Sequence, residues 1–257
     1  MLERRWAEGK LERLPALTGE LGQARVEVLL TIGNKIQRIV QEANPRIPMV
    51  SLSCDSFSSV SNYAKPNGNF TGVTCMSTEL SPKRLELAKQ LVPGASRAVY
   101  LHNPTQGDVG LQLTLEAASR LGIAIKPVEA RSPAGLKAAL AAIAAERPDV
   151  LLVYPDGLTM TMREAITSFA AAQKLPAVYA YKEFAEAGGL VSYGSTLTEL
   201  GERAADLVVK ILRGTPPANL PLEQATRVYL TVNLKAARAL GYNIPQPILQ
   251  RADYVIE

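Results

Sequence analysis

The stretch DVLLVYPDGLTMTMRE, residues 149–164, decides the fold class of this chain. Its apolar run stops at a Pro-Asp-Gly corner, and hydroxyl-bearing residues then lead into a helical pattern. A short, continuous apolar run is typical of a strand that is buried on both faces of a parallel sheet. The stretch therefore predicts a strand that delivers Asp156 to a sheet edge, where this carboxylate binds a ligand, catalyses a reaction or only turns the chain.

Apolar runs alternate with helical periodicity along the rest of the chain, which indicates parallel strands joined by helical crossovers. Two Ser-Pro pairs, Ser81-Pro82 and Ser132-Pro133, are predicted to start helices. One strand-helix-strand pattern occurs twice: ARVEVLLTIGN (24–34) with IPMVSLSCDSF (47–57) is similar to ERPDVLLVYPD (146–156) with LPAVYAYKEF (175–184). This repeat predicts two α/β lobes built on one plan.

Composition excludes several classes of protein. The net charge is +4 over 257 residues, but the basic residues are interleaved with acids, so no nucleic-acid surface is expected. No apolar run reaches the roughly 18 residues of a membrane span. Cys54 and Cys75 lack metal-like spacing and are either two buried thiols or a disulfide. The first residues, MLERRWAEGKLERL, are charged and are predicted to be helical, so we expect no export signal in them.

The ligand site is predicted from topology. In an open parallel sheet, ligands bind beyond the carboxyl ends of the strands, where the strand order reverses. If the second lobe begins at Arg97 and has the order 2-1-3-4-5, the reversal lies between the strands that precede Asn103 and Asp156. Asn103 can donate and accept hydrogen bonds, and Asp156 can hold an ammonium group. A turn or a helix cap is the alternative role for each of them.

Further candidates lie at the other strand ends. In the first lobe, Gly33 and Asn34 stand at a helix start that is suited to a carboxylate, and Asp55 follows the next strand. Tyrosines at or after the later strands offer amphipathic walls for a small organic ligand, with ordinary packing as the alternative: Tyr179, Tyr181 and Tyr193.

Motifs for catalysis are missing from the sequence. There is one histidine, His102, no Gly-x-Ser-x-Gly elbow, no P-loop and no Gly-x-Gly-x-x-Gly after a strand. No metal site is expected, because a single histidine and scattered carboxylates provide no ligand set. We therefore expect a binding protein without a cofactor, and not an enzyme. An α/β enzyme that uses Asp156 as its general base is the minor alternative.

Several segments together resemble the ABC-transporter substrate-binding protein family related to tryptophan- and tyrosine-uptake proteins. They are RWAEGKLERLPALTGEL, the IPMV strand, KPNGNFTGVT, ELSPKRLELAKQLVPGASRAVYLHNP, LLVYPD, LPAVYAYKEFAEAGGLVSYG and ILRGTPPANLPLEQATRVYLTVNLKAARALGYNIPQPILQRADYVIE. The resemblance implies a type I periplasmic-binding-protein fold, in which two doubly wound parallel-sheet lobes are joined by a hinge. Residues 1–76 and part of the tail, about 220–257, would form the first lobe, and residues 77–219 the second.

The resemblance also implies a function. A small organic solute, with amino acids among the candidates, would bind in the cleft between the lobes and pass to an ABC permease and its ATPase. By position, Gly33-Asn34, Asp55, Asn103, Asp156 and the Tyr181 region would line this cleft. A ligand-sensing regulatory module of the same fold is the alternative. Family members are periplasmic proteins or membrane-anchored lipoproteins, with a signal peptide and a first strand-helix unit before the LERRWAEG segment. We expect the first lobe of this chain to lack that unit.

Overall fold

The computed structural model describes residues 1–54, 57, 60, 62–66, 68–106 and 109–257. The strands are β1 Leu29–Ile32, β2 Met49–Ser53, β3 Phe70–Thr74, β4 Arg97–His102, β5 Ala124–Glu129, β6 Val150–Val153, β7 Ala177–Tyr179, β8 Val191–Gly194, β9 Glu223–Gln224, β10 Tyr229–Asn233 and β11 Tyr254–Ile256. The helices are α1 Leu14–Gln23, α2 Asn34–Ala43, α3 Ser77–Leu91, α4 Val109–Leu121, α5 Pro133–Glu146, α6 Gly157–Thr161, α7 Arg163–Ala172, α8 Lys182–Glu186, α9 Leu197–Leu212, α10 Leu234–Leu240 and α11 Gln246–Leu249. This alternation confirms the predicted α/β class.

The first of two compact units comprises Met1–Cys75 and Leu197–Thr226. Its sheet has the order β1-β2-β3-β9, and every pairing in it is parallel. Helix α2 packs on β1 and β2, and α9 packs on β2 and β3. The core of this unit is formed by Leu29, Val40, Met49, Phe57, Phe70 and Leu222.

Strand β1 is the edge of this sheet, and its outer positions are open to solvent. Leu30 is 55% exposed and Ile32 is 66% exposed, whereas Leu29 and Thr31 are buried. A parallel strand is normally covered on both faces. The expectation that a further strand-helix unit belongs to this lobe stays a prediction.

The second unit comprises Met76–Thr196 and Arg227–Glu257. Its sheet has the order β11-β10-β8-β7-β6-β4-β5, and its pairings are parallel except that β10 runs antiparallel to β8. All four residues of β6 are buried, as the apolar run of the opening stretch predicts. Counted from Arg97, strands β4 to β8 lie in the order 2-1-3-4-5, which confirms the predicted topology.

The two units divide the chain differently from the predicted boundaries. The prediction kept all of 77–219 in the second lobe and sent about 220–257 to the first. In the structure, Leu197–Thr226 joins the first unit, because α9 packs on β2 and β3 and β9 pairs with β3. Residues Arg227–Glu257 join the second unit, because β10 extends its sheet beside β8 and β11 follows β10.

One of the two predicted Ser-Pro helix starts is wrong. Helix α3 begins at Ser77, and Pro82 lies inside it. The hydroxyl of Ser81 donates to the carbonyl of Ser77 at 3.0 Å, so it supports a helical turn that is already formed. The other start is confirmed, since Ser132 caps α5 by accepting from the Gly135 N–H at 3.1 Å.

Candidate functional site

The strand order of the second unit reverses between β4 and β6. Both strands are parallel neighbours, and β5 continues the sheet on one side while β7 and β8 continue it on the other. Their carboxyl ends lead to Asn103 and Asp156, respectively. Parallel neighbours end at the same sheet edge, so the two candidate side chains come from the two strands that flank the reversal.

Asp156 caps helix α6. Its Oδ1 accepts a hydrogen bond from the Thr159 N–H at 2.7 Å, and Thr159 Oγ1 accepts from the Asp156 N–H at 2.9 Å. These reciprocal bonds form a capping box. The cap role that the sequence left open for Asp156 is therefore present. Its signal was available in the sequence, because a carboxylate followed three residues later by a hydroxyl can form this pair.

The electrostatics of Asp156 differ from those of a surface cap. Burial raises the pKa of its carboxyl above the usual value, while hydrogen bonds from Thr159 and from the Asn103 side chain act in the opposite direction. Its Oδ2 is buried, and no hydrogen bond of ordinary geometry reaches that oxygen from the described residues. One carboxylate oxygen thus holds the helix, and the other is buried.

Asn103 is buried, with 6% of its surface exposed. Its Oδ1 accepts from the Thr105 N–H at 3.1 Å and from the Thr105 hydroxyl at 2.8 Å, which is the arrangement of an Asx turn. Because Oδ1 is committed to Thr105, the Nδ2 group is the part of this amide that can serve Asp156. The structure therefore brings Asn103 and Asp156 together, as the topology predicts.

Two of the three candidate tyrosines, Tyr181 and Tyr193, have different surroundings. Tyr181 is buried at the start of α8, and its carbonyl accepts from the Phe184 N–H at 3.1 Å. Tyr193 packs against the core on β8 and lines a small surface pocket with α3 residues and Arg251. Packing, which the sequence left as the alternative, is therefore the contact that is present for Tyr193.

In the first unit, Gly33 precedes α2 with a φ of +102°, a conformation that favours glycine. Its N–H donates to the Leu52 carbonyl at 2.7 Å, and its carbonyl accepts from the Gln37 N–H at 2.9 Å. The Gly33 N–H is thus committed to the fold. The donors that remain for an anion belong to the first turn of α2, which begins at the half-buried Asn34. The predicted site residue Asp55 lies outside the described residues.

One charged residue at the carboxyl edge of the second unit's sheet was not predicted. Arg84 of α3 is 4% exposed, and its guanidinium donates to the carbonyl of Tyr193 at 2.8 Å and to that of Ser77 at 3.0 Å. It joins the end of β8 to the start of α3. An arginine in a helical pattern gives no sequence signal that distinguishes a buried position from a solvated one.

Other chemistry is sparse in the part of the chain that the structure describes. No group of three or more His, Cys, Asp or Glu side chains there could hold a metal ion. Cys54 is half-buried and Cys75 is buried. Among the described helices, none combines the length and the apolar character that crossing a membrane requires.

Comparisons with known proteins agree with this architecture. A family model described as ABC transporter substrate binding protein matches residues 2–256. The tyrosine-binding protein of Clostridioides difficile (strain R20291) is 23% identical over 184 residues, which cover 70% of this chain and 52% of that protein. The chain therefore spans about half the length of the curated relative that it matches.

Solved structures are similar over almost the whole chain. A conserved domain protein from Vibrio cholerae has a TM-score of 0.89 at 26% identity, with 98% of this chain and 86% of that chain covered. An ABC domain from Streptococcus pneumonia in complex with L-Trp has a TM-score of 0.86 at 21% identity, with 97% and 88% covered. Both have the fold described above.

Proposed function

The chain belongs to the ABC transporter substrate-binding protein family, and on this premise we propose that it is the solute-binding component of an ABC importer. The observation that carries the proposal is that Asn103 and Asp156 lie close together where the strand order reverses in the second unit. Ligands of open parallel sheets bind at this position.

Amino acids are the class of solute that we propose. The Asp156 carboxylate is suited to a ligand ammonium group, and the first turn of α2 is suited to a carboxylate. A relative named as a tyrosine-binding protein and a structural neighbour in complex with L-Trp support the same class. The cleft between the lobes stays a prediction, as does the contribution of Asp55 to it.

We propose that the protein works outside the cytoplasm, where it binds the solute without chemical change. It then passes the solute to a permease, which is served by an ATPase. Family membership supports this role. The polar groups at the edge, an amide and one carboxylate, orient a ligand more readily than they break a bond. To test the proposal, the solute is recovered after incubation and its mass is measured by mass spectrometry. An unchanged mass is expected. A product that forms with the native chain and not with Asp156→Asn would favour catalysis instead.

A thermal-shift screen tests the binding proposal directly. The purified chain is heated with each amino acid, with small aromatic carboxylic acids and with monosaccharides as the comparison class. A solute at 100 times its Kd stabilises the native state by about 2.7 kcal/mol, so a true ligand raises the Tm by several degrees. Calorimetry on the hits then gives the affinity. A folded protein that no member of the panel stabilises would count against the proposal.

Variants of both units test which groups hold the solute. We expect Asp156→Asn and Asn34→Pro each to weaken binding, because proline at the first position of α2 removes a backbone N–H there without breaking the helix. Glu116→Gln, an exposed change on α4, should leave binding unaltered. An effect of Asp156→Asn without any effect of Asn34→Pro would restrict the site to the second unit.

A further inference from the structure

A second cavity lies in the second unit, apart from the Asn103 and Asp156 edge. Its volume is about 450 Å³, and it is bounded by α7, α10, the end of β11 and the turn between α8 and β8. That turn, Gly188–Leu190, precedes β8, so the cavity opens beside the amino end of this strand and not at its carboxyl end. Its volume is within the range of about 300–1,000 Å³ that is typical of small-molecule sites.

The wall of this cavity is largely apolar and made of small side chains. Helix α7 contributes Ala170 and Ala171, and α10 contributes Ala236 and Ala239. Of these, Ala171 and Ala239 are exposed at the rim. Such a wall leaves room for a compact apolar body, because no long side chain from these four positions fills the space.

Two uncharged polar side chains in the wall are committed to the backbone. The Thr167 hydroxyl donates to the carbonyl of Ala187 at 2.8 Å. The Asn233 amide donates to the carbonyl of Ala185 at 2.7 Å, and its Oδ1 caps α10. Neither side chain is therefore the obvious partner of a ligand.

Tyr179 also lines the cavity, and its hydroxyl differs from the other two. The side chain is fully buried, and the hydroxyl has no hydrogen-bond partner among the described residues. Its ring stacks on Phe184 with centroids 4.9 Å apart, which fixes the ring plane. A Cβ at Gly189 would lie 2.6 Å from Tyr179 Cε2, so the hydroxyl end of the ring abuts the Gly188-Gly189 turn that lines the cavity. A buried hydroxyl without a partner is costly. Because the hydroxyl is closed to solvent behind this turn, a ligand acceptor in the cavity would satisfy it once the turn shifts.

The charges at the cavity oppose an anionic occupant. Glu186 and Glu257 line it together with one basic residue, Lys235. Glu186 is paired with Lys182 at 3.2 Å, so its carboxylate is already partly balanced. Burial raises the pKa of the Tyr179 phenol, which therefore stays a neutral donor at physiological pH.

We propose that this cavity is a second small-molecule site, which takes a compact, neutral and largely apolar molecule whose hydrogen-bond acceptor receives the Tyr179 O–H. It is separate from the solute site of the proposed function, and its ligand does not share that site's amino-acid chemistry.

Two isosteric probes test the proposal on the full chain by NMR titration. Acetophenone carries a carbonyl acceptor, and α-methylstyrene has the same shape without it. We expect both to shift the Gly188 and Gly189 amides, with acetophenone binding about 5-fold to 10-fold tighter, as one hydrogen bond supplies. In Tyr179→Phe the two probes should bind equally, while α-methylstyrene keeps its original affinity.

Filling the cavity supplies the second arm of the test. Ala239→Trp and Ala171→Trp each place a large side chain at an exposed rim position, so the core is not altered, and either should abolish binding of both probes. Solute binding at Asp156 should be unchanged in these variants, which separates failure of this site from failure of the proposed function. Native protein that binds neither probe at millimolar concentration, or a carbonyl preference that persists in Tyr179→Phe, would overturn the proposal.

Discussion

Replacing Asp156 with alanine and with asparagine separates its cap from its charge. Alanine removes Oδ1 and with it the 2.7 Å bond from the Thr159 N–H, so α6 loses its N-cap. Losing such a cap costs about 1 kcal/mol, with a range of about 0.5–2 kcal/mol. Asparagine keeps an oxygen acceptor in the same position and removes the buried charge. We therefore expect Asp156→Ala to lower the free energy of unfolding at neutral pH by about 1 kcal/mol, and Asp156→Asn to leave it equal or raise it.

The pH dependence has a defined sign. Because burial holds the folded pKa of Asp156 above its unfolded value, protonation favours the native state. That contribution is fully present below the unfolded pKa of about 3.9 and is lost as pH rises through the folded value. Any advantage of Asp156→Asn over the native chain should therefore be largest at neutral pH and shrink in acid. Urea unfolding without ligand, monitored by circular dichroism at neutral pH and at acidic pH, measures this difference.

The same two variants report on binding. A charge-assisted hydrogen bond from a ligand ammonium group contributes about 1.5–3 kcal/mol, so losing it weakens binding about 10-fold to 100-fold. We expect this loss in Asp156→Asn even though its stability is retained. The reasoning is refuted if Asp156→Asn is destabilised as much as Asp156→Ala at neutral pH. Unchanged solute affinity in Asp156→Asn would reduce Asp156 to a cap.

Three further changes test the fold of the second unit. Gly194→Ala places a Cβ 2.2 Å from the Ala180 carbonyl oxygen and should lower stability by about 3 kcal/mol or more, seen as a lower urea midpoint; a midpoint within error of the native one would contradict the close approach. Asn233→Ala removes the cap of α10 and should lower stability by about 1–2 kcal/mol in the same assay, whereas Asn233→Asp, which can still cap but sets a buried carboxylate against the Ala185 carbonyl, should lose at least as much. The Ser96 N–H holds the pKa of the Asp149 carboxyl below its usual value, so this contribution is present above the unfolded pKa and is lost as pH falls through the folded value. Asp149→Asn should flatten the acid limb of the stability curve, and an unaltered limb would exclude this role.

The topology of the second unit was predictable because its signals are local. Each strand is an apolar run, each crossover is a helix, and the right-handed crossover rule leaves few sheet orders to choose from. The order 2-1-3-4-5 alone placed Asn103 and Asp156 beyond the ends of neighbouring strands, without any motif. The cap of α5 was likewise predictable, since Ser132 caps the helix that its Ser-Pro pair predicts.

The misassigned segments depend on contacts that are distant in sequence. Nothing local in residues 197–226 distinguishes a helix on one sheet from a helix on the other, and α9 is assigned by its packing on β2 and β3. Strand β11 escaped prediction because three residues carry too little periodicity to identify a strand. The start of α3 was missed because a proline six positions into a helix gives the same letters as a proline at its first turn.

Cap and ligand roles for Asp156 are compatible. The two hydrogen bonds of the capping box use Oδ1 and the Asp156 backbone, and they fix the orientation of the carboxylate. Oδ2 is left buried, and the Asn103 side chain, whose own oxygen is held by Thr105, lies close to this carboxyl group. A binding group that is already held by the fold loses little conformational freedom when a ligand arrives, which favours affinity. The Asx turn at Asn103 and the capping box at Asp156 therefore support the proposed solute site by orienting the two groups in advance.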